Sequence, residues 1–261
     1  KQAHVSTTSG LVFALDALAN VWHSQGLLGE NDKERTRLSQ TMGAVIEAFY
    51  EDVEEPVIID KGRGWPIPTI LSAMTQVLGE KPKIIATVRS IPDCMASLVR
   101  IAKPDDLDEF IYSGILSTHL KASYIAIQTG YEFAPECFCI VEYEDLVADP
   151  KAQLARIHEF LDLPDFEYDF TAIDGTSVQE DDEQIHGYEG MHDIQPVLAK
   201  QHNEDPKDVL KNHYTTFCQP EFWLDKPRTT PELHDLDLQL TASKMGNFTE
   251  GWRLSRKLEQ E

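Results

Sequence analysis

Cations are scarce in this chain. Against 45 aspartates and glutamates stand only 23 lysines and arginines, giving a formal net charge of -22 at pH 7. A general nucleic-acid-binding surface is thereby excluded, because such surfaces attract phosphates with clustered lysine and arginine. No fully apolar run reaches the length of a membrane span. The four cysteines, Cys94, Cys137, Cys139 and Cys218, are irregularly spaced. Cys137 and Cys139 would share one face of a strand and are badly placed to bond to each other. No second ligand pair has zinc-site spacing. The expectation is a chain with no structural metal, whose thiols are reduced core residues in a reducing, cytoplasmic compartment. No internal repeat is visible. With 261 residues, 41% of them hydrophobic, the chain can bury the core of one domain of ordinary size.

In so acidic a chain, any ligand of negative charge must be held by a few local cations. Several of them, Lys61, Arg63, Arg89 and Arg100, fall in or beside three short motifs. The most informative motif runs from Lys83 to Arg100. The apolar stretch Ile84-Ile85-Ala86-Thr87-Val88 ends abruptly at Arg89, Pro92 fixes the next turn, and helical character follows. This reads as strand, turn and helix. The first amides of a helix lack intrahelical partners and carry the positive end of its dipole, so an anion can settle there. Arg89 adds a planar donor fork suited to phosphate, and Ser97, eight residues on, adds a hydroxyl. The plainer reading pairs Arg89 with a nearby carboxylate and leaves Ser97 as a small helical residue.

The second motif, Val141-Glu142-Tyr143-Glu144-Asp145-Leu146, leads from a strand into a turn, and apolar Leu154, Ile157, Phe160 and Leu161 then recur at helical spacing over residues 151–163. The third, Val57-Ile58-Ile59-Asp60-Lys61-Gly62-Arg63-Gly64-Trp65, predicts a buried strand followed by a Gly-rich turn. With these residues in this order, the chain resembles the sulfotransferases that use 3′-phosphoadenosine 5′-phosphosulfate, over roughly residues 3–225 and most specifically between Ile58 and Leu163. The resemblance implies that Arg89 and Ser97 bind the 3′-phosphate and that Tyr143 lies by the adenine. It also implies that Lys61 stabilises charge on the leaving phosphate. Cytosolic members carry a histidine where this chain has Arg63; arginine is no ordinary base near neutral pH, so Arg63 would contact an anion or orient the turn.

The family's phosphate loop, which cradles the 5′-phosphosulfate with backbone amides, is not matched here. Residues 3–10 resemble the family segment that lies just after that loop and its helix, so the expected strand and loop would precede Lys1. Ser6-Thr7-Thr8-Ser9-Gly10 lacks the lysine and long apolar strand of a nucleotide loop and is read as the N-cap region of a helix starting near Leu11. Gly190-Met191-His192-Asp193-Ile194-Gln195-Pro196 is similar to a Gly-Leu-His motif of bacterial members, with Gln195 in place of an arginine. His192 is a base candidate by residue type only.

Helices are predicted over 10–24, 35–50, 68–78 and 205–217, with one long helix over 105–129; strands are predicted over 57–60, from Lys83, and over 138–143. The order suggests an α/β fold, three α/β/α layers around a central parallel sheet. A sulfotransferase-like domain would span 1–224, with an extended arm over 225–261 and an exposed loop over 175–190. The implied activity is transfer of a sulfuryl group to an acceptor hydroxyl or amine, with a nucleotide and a separate acceptor as partners. Two other readings remain open. A P-loop kinase-like phosphotransferase would need a strand-end carboxylate for Mg²⁺, for which Asp60 is the candidate. A sulfotransferase-derived nucleotide-binding or interaction protein would lack catalysis altogether.

Overall fold

Short parallel strands are formed by His4–Ser6 (β1) and Ile58–Asp60 (β2), with His4 opposite Ile58, Val5 opposite Ile59 and Ser6 opposite Asp60. The computed structural model describes residues 3–6, 10–27, 32–173, 188, 196–198, 204–219 and 221–224. The expected loop over 175–190 therefore lies almost wholly outside the described residues, as do His192, Gln195 and the arm over 225–261. Backbone bonds extend the β1–β2 ladder at both ends: the His4 amide donates to Val57 and the Lys61 amide to Ser6, each at 2.8 Å. The predicted burial of the Val57–Asp60 strand is not found. Ile58 and Ile59 are 42% and 36% exposed. β1 is the strand bonded to β2 among the described residues, and apolar composition alone does not say how many layers cover a strand.

The described elements alternate as expected of an α/β chain. After β1 come α1 (Leu11–Leu27) and α2 (Asp32–Phe49), then β2, α3 (Pro68–Leu78), β3 (Ile84–Val88) and α4 (Ile91–Ala102). Next are α5 (Leu107–Ser113), α6 (Ile115–Phe133), β4 (Phe138–Glu142), α7 (Tyr143–Ala148) and α8 (Pro150–Leu161); α9 (Pro206–Leu210) runs into a 3-10 helix over Lys211–Phe217. β3 and β4 bond to each other in a second two-stranded sheet.

Three boundaries differ from the sequence reading. The long helix predicted over 105–129 is two helices, because Gly114 takes an extended conformation and ends α5. Tyr143 opens a helical turn of its own, α7, and Asp149 then caps α8 by accepting from the Ala152 amide. The helix expected over 205–217 tightens into 3-10 form after Leu210. Periodicity marks which residues face a core, whereas breaks of this kind are set by single backbone angles.

The chain divides into two compact units. Among the described residues, the first holds those within 3–84 and 122–138, and the second those within 85–121 and 139–224. In the first, α1, α2 and α3 bury Leu11, Val12, Leu15, Ala19, Trp22, Met42, Ile70, Ala73 and Met74 together. Each large apolar side chain withdrawn from water in this way stabilises the fold by roughly 1.5–3 kcal/mol. In the second, α4 packs on α9 and the 3-10 helix, and Met95, Ile111, Leu210 and Phe217 are almost wholly buried.

Within the first unit, Gly130 of α6 lies against Pro66, so close that a Cβ there would clash with the Pro66 carbonyl oxygen. Backbone on one side and helix on the other leave little room to yield. Gly130→Ala is therefore expected to destabilise the protein by about 1–3 kcal/mol. Urea unfolding checks this, and an unchanged midpoint would contradict the close approach.

Candidate functional site

Each of three sequence motifs places a chemically distinctive residue immediately after a strand: Lys61 after β2, Arg89 after β3 and Tyr143 after β4. Arg89, Ser97 and Tyr143 lie in the second unit; Lys61 and Arg63 lie in the first.

In the first unit, the turn after β2 is organised by Asp60. One carboxylate oxygen accepts from the Tyr50 hydroxyl and the other from Trp65 Nε1, the latter at 3.0 Å. Gly64 is buried because the turn runs against α1; a Cβ at this position would lie 2.9 Å from Val12 Cγ2. Lys61 and Arg63 are consequently displayed on the exposed side of a fixed turn. Asp60 is committed to holding this turn, with both oxygens engaged, which argues against the Mg²⁺ role that a phosphotransferase would assign to it.

In the second unit, β3 delivers Arg89 to the start of α4. Ser90 caps that helix by accepting from the Asp93 amide, and its hydroxyl also donates to the Asp93 carboxylate. The Arg89 guanidinium lies over the Tyr143 ring, 4.6 Å from its centre. Asp93 Oδ1 is 3.5 Å from Arg89 Nη2, and Glu144 Oε1 is 3.3 Å from Arg89 Nε. The Arg89 side chain is only 20% exposed, so these charges are screened less than on an open surface. Nevertheless, Nε is buried and makes no hydrogen bond in the sense of directed geometry. Glu144 is close enough for charge attraction and wrongly placed to accept well.

The arrangement thus joins both readings of Arg89. A neighbouring carboxylate does pair with it, yet a buried donor of the guanidinium stays without a directed acceptor. Ser97 sits one turn beyond Asp93 on α4, half-buried, and its hydroxyl makes no hydrogen bond among the described residues. Tyr143 carries a guanidinium on its ring, so a purine by this tyrosine would share the ring with Arg89. Sequence reasoning did not single out Glu144 or Asp93, although both stand inside the motifs; acidic residues are too common in this chain to be conspicuous.

Two buried polar centres elsewhere in this unit are structural. His158 bridges the Pro164 carbonyl and the Tyr168 hydroxyl, each at 2.6 Å, and Glu142 accepts from Trp223 Nε1 at 2.5 Å. Among the described residues, no group of three or more His, Cys, Asp or Glu is placed to hold a metal ion, and no helix is long and apolar enough to cross a membrane.

Cys94 follows Asp93 on α4, and its Sγ faces the Arg89 carbonyl. Burial pushes its thiol up to about 11; Arg89 opposes the rise, while Asp93 and Glu144 add to it. Only the thiolate is a good nucleophile, so Cys94 should resist alkylation in the native protein between pH 7 and 8 and react as the pH approaches that value. Mass-spectrometric mapping after iodoacetamide treatment measures this. Labelling at the rate of an unfolded control would contradict the burial of the Arg89 surroundings.

Comparison with known proteins bears on this second unit above all. No curated protein matches the chain in sequence. Among solved structures, the sulfotransferase domain from the curacin biosynthetic pathway is similar, at 19% sequence identity, over 90% of this chain and 78% of that chain, with a TM-score of 0.36. Residues 69–168 match the model of the sulfotransferase family. Arg89, Ser97 and Tyr143 all fall within that segment, whereas Lys61 and Arg63 precede it. Over residues 69–168 the chain is thus similar to the sulfotransferase family.

Proposed function

We propose that the chain binds 3′-phosphoadenosine 5′-phosphosulfate as a substrate and transfers its sulfuryl group to an acceptor hydroxyl or amine. One observation carries this reading: a half-buried arginine, inside the family-matched segment, stands at a strand-to-helix junction and lies over an aromatic ring with a buried donor lacking a hydrogen bond. A buried guanidinium N–H without an acceptor is unfavourable, and a phosphate oxygen would satisfy it. The order of strands and helices also accords with a three-layer α/β/α domain on a central parallel sheet. In such folds ligands bind outside the carboxyl ends of the strands, the position that Lys61, Arg89 and Tyr143 each occupy along the chain.

In this reading Arg89 and the Ser97 hydroxyl hold the 3′-phosphate, and Tyr143 supports both the adenine and the guanidinium above it. Lys61 supplies positive charge where the leaving phosphate develops its negative charge, and Arg63 contacts an anionic group or steadies the turn. The chemistry required of the protein is chiefly positioning and charge stabilisation. No metal is invoked.

Three substitutions at two residues test the assignment. Arg89→Ala should weaken adenosine 3′,5′-bisphosphate binding by about 1.5–3 kcal/mol and leave adenosine 5′-monophosphate nearly unaffected. Equal losses for both ligands in a folded variant would contradict the 3′-phosphate role. Tyr143→Phe should bind both ligands nearly normally and Tyr143→Ala should weaken both, because the ring face rather than the hydroxyl is used. Calorimetric titration reads both affinities of each variant, and loss of binding in the phenylalanine variant would reject the ring as the contact.

A further inference from the structure

A 3′-phosphate arriving at Arg89 meets two carboxylates. Asp93 has another task, because Ser90 and the first turn of α4 hold it as part of the cap. Glu144 has no other hydrogen bond or ion pair among the described residues. It stands in the first turn of α7, next to the tyrosine that Arg89 covers, and its side chain is 32% exposed.

We propose that Glu144 is an internal counter-ion of Arg89 that competes with the ligand phosphate, and so determines how strongly the site distinguishes nucleotides that carry a 3′-phosphate from those that do not. This rests on the reading of Arg89 given above. Glu144 neutralises the guanidinium at 3.3 Å while leaving Nε without a hydrogen bond, so it acts by charge and fills no donor site. A phosphate can therefore take the directed bonds that Glu144 does not make, but it must share the cation with like charge beside it. Like charges a few ångströms apart in a partly desolvated site repel strongly. Against this stands the help Glu144 gives in holding Arg89 in place. That contribution is minor, because the Tyr143 ring and Asp93 also hold the guanidinium. Removing the charge of Glu144 should therefore strengthen phosphate binding. Glu144 is a positioning residue in this scheme, acting through Arg89.

The test compares the chain with Glu144→Gln, titrating each with adenosine 3′,5′-bisphosphate and adenosine 5′-monophosphate. The variant should bind the bisphosphate about tenfold more tightly, equivalent to about 1.4 kcal/mol. Its affinity for the monophosphate should change by less than about twofold, a selectivity shift that a general structural effect would not produce. Glu144→Ala serves as a second variant, with thermal unfolding as a check that each remains folded. If the unsubstituted chain prefers the bisphosphate but both variants bind it no better, the competitor role is overturned while the nucleotide reading stands. If the unsubstituted chain shows no preference for the bisphosphate, the nucleotide reading fails and this inference fails with it.

Discussion

A single guanidinium held at the end of a strand in a strongly acidic protein sets the terms for the rest of the proposed site. Arg89 is a cation with only 20% of its side chain exposed, too far from solvent to be left uncompensated. The structure compensates it in two chemically different ways. The Tyr143 face offers quadrupole attraction from one direction, while Asp93 and Glu144 offer opposite charge from others. None of these gives Nε a directed hydrogen bond. The site therefore sets two carboxylates against one guanidinium and stays incomplete in hydrogen bonding at Nε, so an arriving phosphate must compete for the cation.

The turn after β2 solves the opposite problem. Lys61 and Arg63 are exposed, and what needs fixing is the backbone that carries them. Asp60 does this by joining Tyr50 at the end of α2 to Trp65 beyond the turn, and buried Gly64 lets the turn lie against Val12. In the function proposed above, these cations stabilise charge that develops during the reaction, where preorganisation matters more than affinity.

Much of this was legible in the sequence because the signals were abrupt. The change from apolar residues to Arg89, followed by Pro92, marked a strand-to-helix junction that the structure reproduces as β3 and α4. The ends of α3 were equally plain, with Pro68 opening the helix and Gly79 closing it in the left-handed conformation. Other features had no one-dimensional signature. The break at Gly114 depends on one residue's backbone angles, and Gly130 is constrained by a carbonyl 64 positions earlier in the chain. β1 carries a single large apolar residue, Val5, too few to show a period. The carboxylates around Arg89 were hidden by abundance: in a chain with 45 acidic residues, only the fold distinguishes the two that approach a particular arginine.

The central claim is that this site selects an adenosine nucleotide by its 3′-phosphate. Calorimetric titration of the chain with adenosine 3′,5′-bisphosphate, beside adenosine 5′-monophosphate and ATP, measures that selection directly. The account predicts a clear preference for the bisphosphate over both other nucleotides. Equal affinity for the three, or tighter binding of ATP, would contradict it.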